Sequence, residues 1–215
     1  MKTSVRLILI GLIASAPMGM AFGQAEKKSD AKTTQTPLMS WSVPVVGLTN
    51  DNTSTGKKAI EGLKLKADPK AKMDKVEGSG IQDVRFDMEK SMLFLTLQEH
   101  RQLRLSDLKK ALESTGIRVD AEKLVLQDNT ELVVRGDVTA DQMSEIDTAL
   151  EQAGYFKKFT HRADEKTGSC HFQIVASTPK AKLSSVKDFL AEFYGEDMEA
   201  EVIWTGLRSA VAPKG

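Results

Sequence analysis

Residues 131–155 read ELVVRGDVTADQMSEIDTALEQAGY. The run opens on the β-favouring Leu132, Val133 and Val134 and passes Gly136. It then enters a segment in which Met143, Ile146, Leu150 and Ala153 recur every three or four residues. That spacing lays the apolar side chains along one face of a helix. A strand, a loop and an amphipathic helix are predicted, with Thr139-Ala140-Asp141-Gln142 as a capping box at the helix start. Such a cap contributes on the order of 1 kcal/mol.

Toward the C terminus, His161 closes a second strand, Glu165-Lys166 forms a hairpin connection, and Cys170, Phe172, Ile174 and Ala176 alternate along a third strand. Leu183-Ser184 opens a second helix that carries Leu190, and residues 198–204 supply the last strand. Upstream the same plan is predicted again. Residues 59–63 (AIEGL) read as a strand, and Asp68-Pro69 as the start of a helix bearing Ala71, Met73 and Val76. Residues 81–88 and 92–97 read as a hairpin around Glu89-Lys90-Ser91. A helix runs from Ser106 to Gly116 with Leu108, Ala111 and Leu112 on one face, and residues 117–126 form a last strand.

The two copies align: Gly62 matches Gly136, Gly80-Ile81 matches Gly154-Tyr155, Glu89-Lys90 matches Glu165-Lys166, and Leu105-Ser106 matches Leu183-Ser184. Each copy has the order strand, helix, strand, strand, helix, strand, which folds as a four-stranded antiparallel sheet with both helices on one face. The expectation is an α+β chain of two tandem ferredoxin-like βαββαβ domains, residues 57–127 and 131–207, with a tail at 208–215.

The N-terminal residues read differently. Lys2 and Arg6 precede an apolar run at 7–13, and small residues follow up to Ala21-Phe22-Gly23 or Gly23-Gln24-Ala25. This is the pattern of a secretory signal peptide, residues 1–23. The apolar run is broken by Pro17 and is short for a membrane span, so no stable membrane anchor is expected after cleavage. Export to the periplasm or the medium follows. Residues 24–56 read as a linker, polar at 26–36, with an extended apolar segment at 38–48 that Pro44 restricts to an edge or an extended stretch and whose apolar residues are expected to pack on the following domain, and a turn-rich loop at 50–56.

Composition narrows the function. The 30 Lys and Arg balance the 30 Asp and Glu, so no basic surplus invites nucleic acid. With Cys170 as the single cysteine, the 215 residues hold no internal disulfide. Phosphate-cradling glycine loops, nucleophile elbows and His-Glu-x-x-His helices are absent, and His100 sits in a polar connection. A non-enzymatic protein with no catalytic residues is expected.

Residues 133–136, the helical run Ile146-Asp147-Thr148-Ala149-Leu150, and Gly154-Tyr155 together resemble the heavy-metal-associated domain, as do Ile60-Glu61-Gly62-Leu63 and Gly80-Ile81 in the first copy. In that family two thiolates on the loop before the first helix bind a soft ion such as Cu(I). The matching positions here are Leu65 and Asp68, then Thr139 and Gln142, and none supplies a thiolate. The resemblance implies a retained scaffold that binds a protein partner, of unknown identity, through a sheet face or an edge strand, with no resident cofactor. A second reading is a heavy-metal carrier or sensor that holds Cu or Zn with other ligands. His161, Cys170 and His171, brought near one another across the hairpin, are its candidates. Met88 and Met92 flank the hairpin of the first copy as packing residues.

Overall fold

The computed structural model describes residues 38–69, 79–136, 138–164 and 166–208. In chain order these form β1 (Ser40–Val46), α1 (Asn50–Glu61), β2 (Lys66–Ala67), β3 (Ile81–Asp87), β4 (Met92–Leu97), β5 (Arg101–Arg104) and α2 (Leu105–Glu113). There follow β6 (Arg118–Val119), β7 (Thr130–Arg135), α3 (Ala140–Ala153), β8 (Phe156–Asp164), β9 (Ser169–Ser177), α4 (Leu183–Tyr194) and β10 (Glu199–Thr205). The fold is mixed, with two antiparallel sheets ordered β3-β4-β1-β6 and β2-β5-β10-β7-β9-β8. The predicted signal peptide, the polar part of the linker, most of the helix predicted after Asp68-Pro69, and the tail beyond Arg208 lie outside the described residues.

Several expectations for the first half are corrected. The segment 59–63 is not a strand; residues up to Glu61 belong to α1, and the expected domain start between residues 56 and 57 falls inside that helix. Nor is 50–56 a loop. Thr49 precedes the helix, Asn52 Oδ1 accepts from the Thr49 amide at 2.8 Å, and Asn52 Nδ2 donates to the Gly47 carbonyl at 2.8 Å. Gly56, a poor helix former, is kept because the helix packs tightly on the sheet. A Cβ there would stand 2.7 Å from Ile117 Cδ1 and 3.2 Å from Phe86 Cζ.

The apolar segment around Trp41 is extended and packed, as its sequence predicts, but not at an edge: β1 lies inside its sheet between β4 and β6. Trp41, Val43 and Val45 alternate into the core opposite Leu93 and Leu95 of β4. Pro44 is tolerated because β6 covers only Val45 and Val46 of the neighbouring edge, and the Pro44 carbonyl still accepts from the Asp120 amide at 2.9 Å. Further along that edge, the side-chain amide of Gln127 stands in for a strand. It donates to the Ser42 carbonyl at 2.6 Å and accepts from the Ser42 amide at 3.2 Å. The strand predicted over 117–126 shortens to β6 for this reason.

The hairpin β3-β4, the helix α2, and all six elements of the second half fall where the sequence places them. The elements β1-α1-β3-β4-α2-β6 and β7-α3-β8-β9-α4-β10 share one order, and their strands are neighbours in the same sequence, β3-β4-β1-β6 and β8-β9-β7-β10.

The sequence reads Glu99-His100-Arg101-Gln102 as a polar connection; its last two residues instead open β5, which pairs with Ile203–Thr205 of β10 and carries the first half onto the second sheet. Leu103, opposite Trp204, is fully buried. The end of β10 is clamped by backbone bonds: the His100 amide donates to Gly206 O, the Gly206 amide to Arg101 O and the Met39 amide to Leu207 O, each at 2.8 Å. Residues 124 and 126 bond in the same way to 183 and 181 ahead of α4, at 2.7 and 2.8 Å. One contiguous apolar core results, running from Trp41 to Trp204.

Gly206 tests this clamp. A Cβ there would lie on the Gln98 carbonyl oxygen, which belongs to the backbone and cannot rotate away. Gly206→Ala is expected to destabilise the protein by about 1–3 kcal/mol. A urea melt should show a lower midpoint with an unchanged slope; an unchanged midpoint would mean that the two halves do not depend on this close approach.

Candidate functional site

Strand β9 decides where the chemistry lies, because its side chains alternate between two environments. Cys170, Phe172 and Ile174 point to the face covered by α3, whereas Ser169, His171 and Gln173 point to the other. The three sequence-predicted ligands are therefore not brought together. Register pairs Ala163 with Cys170, Arg162 with His171 and His161 with Phe172. His161 thus shares the Cys170 face and His171 is on the opposite one.

On the helix-covered face, Cys170 is buried and its Sγ lies 3.6 Å from the Sδ of Met143 on α3. Burial pushes the thiol above its ordinary range, the nearby Asp147 charge adds to this, and the Tyr194 hydroxyl opposes it. Burial likewise raises the Tyr194 phenol. His161 Nδ1 is 2.8 Å from Asp147 Oδ1, a pair between β8 and α3 that ties helix to sheet. Among the described residues no three His, Cys, Asp or Glu side chains gather to hold an ion.

The loop before α3 is closed by capping, as its sequence predicts: Thr139 Oγ1 accepts from the Gln142 amide at 3.3 Å and Gln142 Oε1 accepts from the Thr139 amide at 2.9 Å. Of the other two positions matched to the family thiolates, Leu65 is buried and the Asp68 amide donates to His100 O at 2.7 Å. Met88 is exposed on its turn, while Met92 lines a cavity of about 410 Å3 with Pro44 and Gln127.

The polar face holds a chain of hydrogen bonds that the sequence reading missed. Glu131, the second residue of the central strand β7, is only 7% exposed. Its Oε1 lies 2.9 Å from His171 Nδ1 and 3.5 Å from Arg162 Nη2. Across the ring, His171 Nε2 is 3.2 Å from Ser169 Oγ, which is 2.6 Å from Thr167 Oγ1. Nδ1 faces two partners, Glu131 Oε1, which accepts when ionised, and Arg162 Nη2, which only donates, at 2.9 and 3.1 Å, so the ring's tautomer decides which of the two it bonds and what Nε2 presents to the Ser169 hydroxyl.

Beside this chain a cavity of about 550 Å3 opens, lined by Ser169, His171, Val133, Arg104, Lys187 and the β10 residues Glu199 and Glu201 among others. Glu199 pairs with Arg135 at 2.8 Å, and Glu201 Oε1 accepts from the Ser106 amide at 3.0 Å, at the N-terminus of α2. A carboxylate there is favoured by the helix dipole. One signal in the sequence pointed to this face: Glu131 stands in an otherwise apolar strand, at the parity of Val133 and not of Leu132 and Val134. No family model, curated protein or solved structure matches the chain.

The packing of Cys170 gives a direct test. A thiol-disulfide reagent is expected to leave Cys170 unmodified in the native protein and to react one-for-one once guanidinium unfolds it, because the thiol is buried and its ionisation disfavoured. Rapid reaction in native buffer would mean that the helix-covered core is open at this position.

Proposed function

We propose that the chain is an exported scaffold of two tandem, degenerate heavy-metal-associated-like domains of ferredoxin-like fold, and that it binds a protein partner along β10. Three features support the ancestry. Both halves share one element order and one strand order. The second half follows the family pattern at Gly136, Ile146-Asp147-Thr148-Ala149-Leu150 and Gly154. Its metal-loop positions are occupied by a capping pair, Thr139 and Gln142. The N-terminal signal pattern supports export, and no helix among the described residues is long and apolar enough to cross a membrane.

One observation carries the binding role. β7 pairs with β10 from Glu199 to Trp204, whereas β5 covers the other edge of β10 only from Ile203 to Thr205. The outer backbone edge of residues 199–202 is left without a neighbouring strand among the described residues, and it borders the 550 Å3 cavity. An extended segment laid there would continue the line of β5 and gain main-chain hydrogen bonds, with side chains from the cavity wall supplying selectivity.

The terminal strands are poorer acceptors. β8 is irregular between Phe156 and Phe159 and exposes Lys157 and Lys158, and β3 is bulged between Ile81 and Asp83. Bulges and lysines are the usual means of blunting an edge.

A photo-crosslinking residue placed at Glu199, and a control at Lys90 in the β3-β4 connection, would test the role in the producing cell. Illumination is expected to give one discrete adduct from position 199 and none from position 90. Adducts of equal yield from both sites, or none from 199, would remove β10 as the docking edge.

A further inference from the structure

The polar face carries more than a docking edge. We propose that Ser169 is an acyl-accepting nucleophile, activated by His171 and Glu131, for a small ester that bears an anionic group. With the ring proton on Nδ1 the contacts run one way: Thr167 Oγ1 to Ser169 Oγ at 2.6 Å, Ser169 Oγ to His171 Nε2 at 3.2 Å, and His171 Nδ1 to Glu131 Oε1 at 2.9 Å. A hydroxyl, an imidazole lone pair aimed at it and a carboxylate fixing the ring are the three parts that make a weak nucleophile competent.

Burial separates this chain from an ordinary wet surface network. Glu131 and Ser169 are each 7% exposed, yet Ser169 and His171 line the cavity. A buried carboxylate adds little to stability compared with a well-packed apolar residue, so its presence at the end of a relay points to chemistry.

In the first step, Ser169 Oγ attacks the ester carbonyl carbon while its proton passes to His171 Nε2. Glu131, held by Arg162, stabilises the imidazolium. The tetrahedral adduct collapses with cleavage of the bond to the leaving oxygen, which takes the proton from Nε2. Water then attacks the acyl-Ser169 carbon and gives its proton to Nε2. That proton returns to Oγ as the acid leaves, and the serine is restored.

Ser169 lines a space of about 550 Å3, a size that suits a small molecule. Arg104 and Lys187 line the same space and belong to no ion pair among the described residues. They offer charge to an anionic substituent, and to the oxyanion formed on attack. This reading is independent of the partner role, because a serine can be reactive whether or not a strand docks on β10.

The test uses the mature full chain with a small alkyl fluorophosphonate as the probe, and mono-p-nitrophenyl succinate, which bears a carboxylate, as the ester. Mass spectrometry is expected to find one adduct per chain, on Ser169, and Ser169→Ala should carry none. In Glu131→Gln the ring loses its fixed tautomer, so labelling and ester cleavage should slow by about 100-fold or more, with the melting temperature retained. His171→Gln should give the same loss and serves if Glu131→Gln does not fold. Absence of an adduct on Ser169 in the unaltered chain, or an equal labelling rate in a folded Glu131→Gln or His171→Gln variant, would overturn the proposal.

Discussion

The pairing of β5 with β10 is the contact on which the rest depends. Three residue pairs, Arg104 with Ile203, Leu103 with Trp204 and Gln102 with Thr205, join a strand of the first half to the second sheet. Each half taken alone would leave one of these large side chains, Leu103 or Trp204, facing water, and burying such a side chain contributes roughly 1.5–3 kcal/mol. The pairing therefore makes two small sheets into parts of one core. Its brevity matters as much as its presence: because β5 is only four residues long, β10 keeps a free edge, and the cavity forms where β5 ends.

How far the fold was legible in the sequence depended on whether local pattern and tertiary environment agreed. They agree in the second half, where the alternation of β9 and the 3.6-residue spacing of α3 both report real faces. In α1 they disagree. Asn50, Asn52, Ser54 and Gly56 are turn formers by intrinsic preference, and the Thr49–Asn52 cap together with the packing of Gly56 against Ile117 and Phe86 holds them helical. A better local clue was available: Gly47-Leu48-Thr49-Asn50-Asp51-Asn52 parallels Gly136-Asp137-Val138-Thr139-Ala140-Asp141-Gln142, each a glycine leading to a threonine with an amide three residues on. Aligning those caps places α1 against α3 and makes β1 the counterpart of β7. Aligning Gly62 with Gly136 instead compared the end of a helix with the end of a strand.

The candidate site was legible only in part. That Cys170 faces the core follows from alternation, and the same rule sends His171 to the other face, so a shared ligand set required the strand to break its own period. Glu131 was visible as an acid in an apolar strand. Its partners were not, because Arg162, His171 and Ser169 meet it through strand register, and β5 arises from a long-range pairing that no local pattern announces.

Register also explains why the polar site is so sharply placed. β7 is flanked by β9 and β10, so the Glu131 carboxylate is shielded on both sides and open on one face only. Its charge must be met by side chains delivered from the β8-β9 hairpin. The irregularity near the start of β8 is closed by Phe159, and from there to Asp164 every residue pairs in step. One residue more in the connection between β8 and β9 would shift that step, sending Arg162 to the helix-covered face and His161 toward Glu131. The carboxylate would then lose the Arg162 guanidinium, and the core would gain an unpaired cation in place of the His161–Asp147 tie. The length of that short connection fixes the chemistry of both faces at once.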